Sequence, residues 1–225
     1  HAESFRQVRA NLQFATVDRP GKVYIVTSAG PGDGKSTVLC NLAVAISQTG
    51  KKVLVVDADM RRPILHKLLN IENREPGLSS FLAEPNRVYS DVLHPTDVEG
   101  VGVVPGGPIP PNPAELLGSP RMSVLLEQLM QVSDVVLVDS PPVLIVADAS
   151  VIAAQVDGAI MVIDSFRTRP SSLRAALDTL TNSQVNVVGA IINKLKRARF
   201  GIGYSYPSYY DYYYFREDQQ HITTT

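Results

Sequence analysis

The most specific chemistry in this 225-residue sequence lies in Ser28-Ala29-Gly30-Pro31-Gly32-Asp33-Gly34-Lys35-Ser36-Thr37. A β-branched run, Val23–Thr27, precedes it and an apolar helical pattern follows, the context that a phosphate-cradling Walker A loop requires. Glycines let the backbone turn tightly, so that consecutive amides form a concave nest for anionic oxygens. The helix beginning near Ser36 adds its positive dipole end. Ala29, Gly30, Pro31, Gly32, Asp33, Gly34, Lys35, Ser36 and Thr37 are therefore the expected nucleotide-binding residues. Lys35 would reach the β and γ phosphates, and the Ser36 hydroxyl would ligate Mg²⁺. Ala29 stands where the first glycine of the motif is usual.

Carboxylates end two further apolar runs. Val53-Leu54-Val55-Val56-Asp57-Ala58-Asp59-Met60-Arg61 carries two aspartates two residues apart, on one side if the strand continues through them. Val135-Val136-Leu137-Val138-Asp139-Ser140-Pro141-Pro142 reads as Walker B, a buried strand delivering Asp139 and stopped by prolines. Three carboxylates from two strand ends suit a hard cation that prefers oxygen and keeps several waters. Ser36, Asp59 and Asp139 are the expected ligands.

The elements that must position these groups follow from periodicity. Strands are expected at Val23–Thr27, Val53–Asp57, Val101–Val104, Val135–Asp139, Ala159–Asp164 and Val187–Asn193, several apolar on consecutive residues as in strands buried on both faces. Helices are expected at Glu3–Ala15, Ser36–Gln48, Pro120–Gln131, Ala147–Ala153 and Ser171–Asn182. The alternation predicts an α/β fold, a mostly parallel sheet flanked by helices, with ligands outside the carboxyl ends of the strands. The run from Pro105 to Pro113 reads as a surface loop. A domain over 1–199 and a mobile Gly-, Ser- and Tyr-rich tail over 200–225 are expected.

Composition constrains little else. Apolar residues make up 44% and charged residues 19%, and the formal net charge is −1, which gives no reason to invoke nucleic acid. The single cysteine, Cys40, excludes an internal disulfide and reads as a buried small hydrophobe. No apolar run approaches the ~18 residues that span a bilayer. The opening His1-Ala2 suggests a piece of a longer protein or a tagged chain. The basic run Lys194, Lys196, Arg197 and Arg199 reads as a solvated stretch.

The hydrophobic-Asp-x-Asp-x-Arg pattern at 57–61 resembles the Walker A′ motif of the bacterial tyrosine kinases. Glu3-Ser4-Phe5-Arg6-Gln7-Val8-Arg9 is similar to that family's E-x-x-R-x-x-R element, and Pro111-Asn112-Pro113-Ala114-Glu115-Leu116-Leu117 to its loop-helix segment. The related Min/Par-type ATPases carry an extra lysine where this sequence has Gly30. The resemblance implies a P-loop kinase domain using ATP and Mg²⁺. It implies ring-like homo-oligomers through Glu3, Arg6 and Arg9, and a membrane-spanning activator, fused or separate. An opposing protein tyrosine phosphatase, a place at the inner face of the plasma membrane, and a role in exopolysaccharide or capsule export are implied too. It points to Asn193 for adenine, although a turn role for that amide is equally open from the residues alone.

Seven of the nine tyrosines, Tyr204, Tyr206, Tyr209, Tyr210, Tyr212, Tyr213 and Tyr214, crowd the tail without aliphatic partners. Attached to an ATP site, they are candidate phosphoryl acceptors. An extended chain from Lys196 to Tyr212 reaches at most ~55 Å, enough for its own site or a neighbour's. A phenol with a pKa near ~10 needs a carboxylate to orient it and accept its proton, and Asp57 is the candidate. Lys35, Asp57, Asp59 and Arg61 form the expected catalytic set, Arg61 either neutralising phosphate or holding the aspartate loop. A Min/Par-like ATPase switch and a nucleotide-responsive scaffold are the alternatives. The first would release phosphate without labelling protein, and the second would do neither.

Overall fold

The computed structural model describes residues 2–16, 21–72 and 75–195. Its strands are β1 (Val23–Ser28), β2 (Val53–Asp57), β3 (His94–Pro95), β4 (Val101–Val104), β5 (Val135–Asp139), β6 (Gly158–Asp164) and β7 (Val187–Asn193). They form one sheet in the order β3-β4-β2-β5-β1-β6-β7. Every pairing is parallel except β3 with β4. The six expected strands are present, and β1 and β6 are each one residue longer. The edge strand β3 escaped sequence reading because it is two residues long and ends in a proline, which cannot donate to a ladder.

The helices are α1 (Ala2–Ala15), α2 (Lys35–Ser47), α3 (Leu65–Leu68), α4 (Leu78–Ala83), α5 (Pro113–Leu117), α6 (Pro120–Val132), α7 (Asp148–Ala153) and α8 (Pro170–Asn182). Proline opens α5, α6 and α8, where its missing N–H is no loss and its fixed φ suits the first turn. Helices α3, α4 and α5 are too short to show a 3.6-residue period.

Alternation along the strands divides the core in two. Ile25, Val56, Val138 and Met161 pack with Leu117, Leu125, Leu129, Ile152 and Leu180 on one face. Tyr24, Val26, Val55, Leu137, Ile160 and Val162 pack with Leu39, Leu42 and Ile46 of α2 on the other, where Phe5, Val8 and Leu12 of α1 lie over them. Cys40 is buried among these side chains, and burial pushes its thiol up to about 12.

The expected surface loop at 105–113 needs correction. Pro105, Gly106 and Gly107 are buried, and Pro113 begins α5. The carbonyls of Pro105 and Gly106 accept the N–H groups of Leu78 (2.7 Å) and Ser79 (3.1 Å) at the start of α4. These bonds satisfy the buried backbone groups that otherwise force a loop to the surface. Among the described residues no helix is long and apolar enough to cross a membrane.

Candidate active site

The phosphate loop joins β1 to α2 at the carboxyl edge of the sheet. Gly32 (φ 78°) and Gly34 (φ 93°) occupy the left-handed region, which only glycine enters without strain. Gly34 caps α2, which starts at Lys35, one residue earlier than expected. Asp33 Oδ2 accepts the Gly30 N–H (3.1 Å) and Ser28 Oγ donates to the Gly30 carbonyl (2.8 Å), so the turn is held by its own side chains. Ala29 is buried within the core, where its methyl group has packing partners. Pro31, Gly32 and Thr37 are exposed.

The strand ends deliver the carboxylates. Asp57 and Asp139 are register partners across the β2–β5 pairing, so the two strands present them side by side. Strand β2 stops at Asp57, and Asp59 lies beyond it in a turn. The carboxylate pair at the strand ends is therefore Asp57 with Asp139, not Asp57 with Asp59. Asp59 Oδ2 stands 3.4 Å from Lys35 Nζ, and its Oδ1 accepts the Arg62 N–H (3.1 Å). Ser36 Oγ donates to Asp139 Oδ2 at 2.5 Å. The amides of Ile64 and Leu65, entering α3, each donate to Asp57 Oδ2 at 2.9 Å.

The other oxygens of this pair, Asp57 Oδ1 and Asp139 Oδ1, are buried without a hydrogen-bond partner. An orphaned buried acceptor costs about 1–3 kcal/mol, more for a charged one. Burial first, and Asp139 alongside it second, push Asp57 up to about 8 against the pull of its two backbone N–H bonds. Burial likewise raises Asp139 to about 6, while Lys35 and the Ser36 hydroxyl hold it down. Two unpartnered carboxylate oxygens beside a serine hydroxyl are a donor set that fits a hard divalent cation. No group of three or more His, Cys, Asp or Glu among the described residues is arranged to hold a metal alone. That suits Mg²⁺, which keeps waters and shares phosphate oxygens.

Arg61 turns to a residue that the sequence did not single out. Its guanidinium makes two bonds to the buried Asp148 carboxylate (2.8 and 3.0 Å), tying the Asp59 turn to α7. Asn193 Nδ2 donates to the Asp33 carbonyl (3.0 Å) and its Oδ1 accepts the Lys194 N–H (2.8 Å). That amide thus holds the phosphate loop and its own turn. Lys194, expected to be merely solvated, instead donates to the Gly32 carbonyl (2.6 Å) and to Asp164 Oδ2 (2.7 Å). The Lys194 hydrogen bond lowers the pKa of Asp164. Asp164 could have been noticed in the sequence, since it ends β6 as Asp57 ends β2 and Asp139 ends β5. Asp148 had no such signal.

On α1, Glu3 and Arg6 form an exposed ion pair (2.9 Å). Arg9 faces the core beside Val8 and Leu12 and donates to the Ala45 carbonyl of α2 (2.9 Å). The three residues therefore do not form a single outward stripe. The tail tyrosines, with Lys196, Arg197 and Arg199, lie outside the described residues.

A profile of the ParA family, described as NUBPL iron-transfer P-loop NTPase, matches residues 20–199. Tyrosine-protein kinase YwqD of Bacillus subtilis (strain 168) is 40% identical over 88% of this chain and 83% of its own length. The chain belongs to the bacterial tyrosine kinase family. Its enzyme class is that of a protein-tyrosine kinase. The kinase domain of Escherichia coli tyrosine kinase ETK superposes with a TM-score of 0.83 at 35% identity, covering 91% of this chain and 80% of that one. The chimerical protein CapA2B2 superposes at 0.81 with 35% identity, over 87% and 85% of the two chains. The septum site-determining protein MinD of Pyrococcus horikoshii, complexed with Mg-ADP, is 22% identical with a TM-score of 0.67 over 81% and 74%, and shares the fold alone.

Proposed function

We propose that this bacterial tyrosine kinase uses ATP and Mg²⁺ to phosphorylate its own tail tyrosines at 204–214, between copies of an oligomeric ring, in the control of exopolysaccharide or capsule export. The observation that supports the reading best is the meeting of Lys35, Ser36, Asp57, Asp59 and Asp139 at one edge of the sheet, with two buried carboxylate oxygens left open. Identity favours it over a Min/Par-like switch, since the tyrosine kinases match at 35–40% and MinD at 22%.

The loop amides and Lys35 would hold the triphosphate, and Ser36 and Asp139, with Asp57 alongside, would hold the metal. Magnesium bound with ATP supplies charge neutralisation on the phosphate oxygens and favours the ionised form of the carboxylates beside it. Asp57 keeps Oδ2 on the α3 amides and leaves Oδ1 to orient the acceptor phenol and take its proton late in transfer. Its burial makes it a stronger base than an exposed aspartate. Asp59 keeps Lys35 extended across the site. Arg61 acts by fixing the turn that carries Asp59, not by contact with phosphate.

The domain is assigned to 1–199 and the acceptor tail to 200–225. Glu3 and Arg6 are the residues offered to a neighbouring copy, while Arg9 secures α1 to α2. A membrane-spanning activator at the inner face of the plasma membrane and an opposing tyrosine phosphatase complete the reading. The match to tyrosine-protein kinase etk of Escherichia coli, of whose length this chain spans only 28%, supports the activator.

Mass spectrometry after incubation with Mg-ATP tests the proposal. Phosphate is expected on residues 204–214, and on a Lys35→Ala chain when it is mixed with an active chain whose tail tyrosines are phenylalanine. Phosphate release without labelled protein would overturn the kinase role assigned to the tail. A Lys35→Ala tail that stays unlabelled beside the active chain would overturn transfer between copies.

A further inference from the structure

We propose that the Asp164–Lys194 ion pair is a positioning device for the phosphate loop, acting on nucleotide affinity through the Gly32 carbonyl without touching the nucleotide. The inference rests on the nucleotide reading of the site.

Strands β6 and β7 are paired in register up to Asp164 and Asn193, so their ends project next to the loop that follows β1. From there two consecutive loop carbonyls are gripped. Asn193 Nδ2 takes Asp33 O at 3.0 Å and Lys194 Nζ takes Gly32 O at 2.6 Å. A planar trans peptide points its N–H opposite to its C=O. Drawing the Gly32 and Asp33 carbonyls toward β7 therefore turns the N–H groups of Asp33 and Gly34 away from it, into the nest. Gly34 is needed for this grip too, because a Cβ there would collide with the Asn193 amide.

Lys194 is itself fixed. Asp164 is buried to 1% exposure while the lysine is 42% exposed, so the pair is anchored at its acidic end. Asp164 Oδ1 accepts the amides of Phe166 (2.9 Å) and Arg167 (3.2 Å), leaving Oδ2 for the lysine at 2.7 Å. The Lys194 backbone sits at φ 60°, where a residue with a Cβ is strained. Such a conformation persists only when its surroundings over-determine it, and here the Asn193 side chain, Gly32 and Asp164 all do so. A lysine whose only role was solvation would have none of these constraints.

The test measures Mg-ADP affinity by calorimetry, KM for ATP, and melting without nucleotide. Lys194→Met is expected to weaken Mg-ADP binding and raise the KM for ATP about tenfold, the scale of one charge-assisted bond. Asp164→Asn keeps an acceptor for the Phe166 and Arg167 amides, and should cause the same loss. The double variant should be no worse than either single one. Lys194→Arg should restore most of the affinity, and nucleotide-free melting of Lys194→Met should fall only modestly, as the buried Asp164 loses its partner, with arginine recovering most of that fall as well. If Lys194→Met weakens binding but Asp164→Asn leaves it unchanged or tighter, the lysine contacts phosphate directly and the proposal fails. It also fails if Lys194→Met has no effect, or if its loss tracks a collapse in nucleotide-free melting that arginine does not rescue. Absence of Mg-ADP binding by the wild-type chain would overturn the nucleotide reading along with it.

Discussion

Replacing Asp57 by asparagine should stabilise the metal-free protein above neutral pH while removing its phosphotransfer activity. Asp57 is fully buried beside Asp139, and the pair leaves two acceptor oxygens unpartnered. Asparagine keeps an oxygen for the Ile64 and Leu65 amides but carries no charge to bury. A carboxyl whose folded pKa is raised favours folding fully below its unfolded pKa, and that contribution is lost as pH rises through the folded value. Here the window runs from ~3.9 in the unfolded chain to about 8 in the folded one. At ~1.4 kcal/mol per pH unit the ceiling is ~6 kcal/mol. Asp57 and Asp139 titrate together, so one replacement recovers part of this, on the order of 2–3 kcal/mol. For a chain of this size that is a rise of roughly 5–10 °C in melting temperature. Calorimetry in a chelator at pH 4 and pH 8.5 reads it directly: little difference at the lower pH, a clear gain for Asp57→Asn at the higher. Adding Mg-ADP should raise both, since Lys35, Ser36 and Asp139 remain in the variant, but should raise the wild type more and so narrow the gap at pH 8.5. Equal destabilisation of Asp57→Asn at both pH values would refute the claim that an uncompensated carboxylate pair waits there for a cation.

The other expectations are simpler. Lys35→Ala should abolish measurable nucleotide binding and tail phosphorylation, and calorimetry with Mg-ATP checks it; wild-type affinity would refute the loop assignment. Arg61→Ala leaves the buried Asp148 carboxylate without its guanidinium, and because Arg61 is itself 43% exposed the loss should be about 1–3 kcal/mol, seen in urea melts, with lysine a poor substitute. Arg121 donates to the carbonyls of Phe81, Pro85 and Arg87 and stacks 4.2 Å from the Phe81 ring centroid, so Arg121→Ala should cost about 2–3 kcal/mol without changing the KM for ATP.

The sheet was legible because its strands are buried on both faces and so read as unbroken apolar runs. Every expected strand is found, with ends displaced by at most one residue. The phosphate loop was legible because its glycines are demanded locally: φ of 78° and 93° at Gly32 and Gly34 is a property of the turn itself. What sequence could not supply was pairing between distant segments. Pro105–Gly107 has a loop's composition and is buried only because α4 offers two amides to it. Asp148 is an unremarkable helix-start acid until Arg61 reaches it from 87 residues away. The same holds for Arg9, which the E-x-x-R-x-x-R resemblance assigned to oligomer contacts with Glu3 and Arg6, whereas α2 draws it inward.

Three strands end in aspartate, and their differing fates follow from what meets each one. At the end of β2, Asp57 receives two backbone amides on one oxygen and a like-charged neighbour across the ladder, so its burial goes uncompensated and its pKa climbs. At the end of β5, Asp139 has Ser36 on one oxygen and Lys35 within electrostatic reach, and it is raised less. At the end of β6, Asp164 is met by Lys194 and two amides, and its pKa falls. The first two sit on adjacent strands, β2 and β5, and the third on β6, across β1 from them. The sheet order thus gives the carboxylates different roles. Two are short of positive charge where a metal would bring it, and one is already neutralised where the loop must be held still. If that division is right, removing a partner should move the carboxylate it serves. In Lys194→Met the Asp164 carboxyl should titrate at higher pH than in the wild type, while Asp57 and Asp139 titrate where they did before. Carbon-detected NMR of the nucleotide-free protein follows all three, and an unmoved Asp164 would show that the lysine is not what holds it ionised.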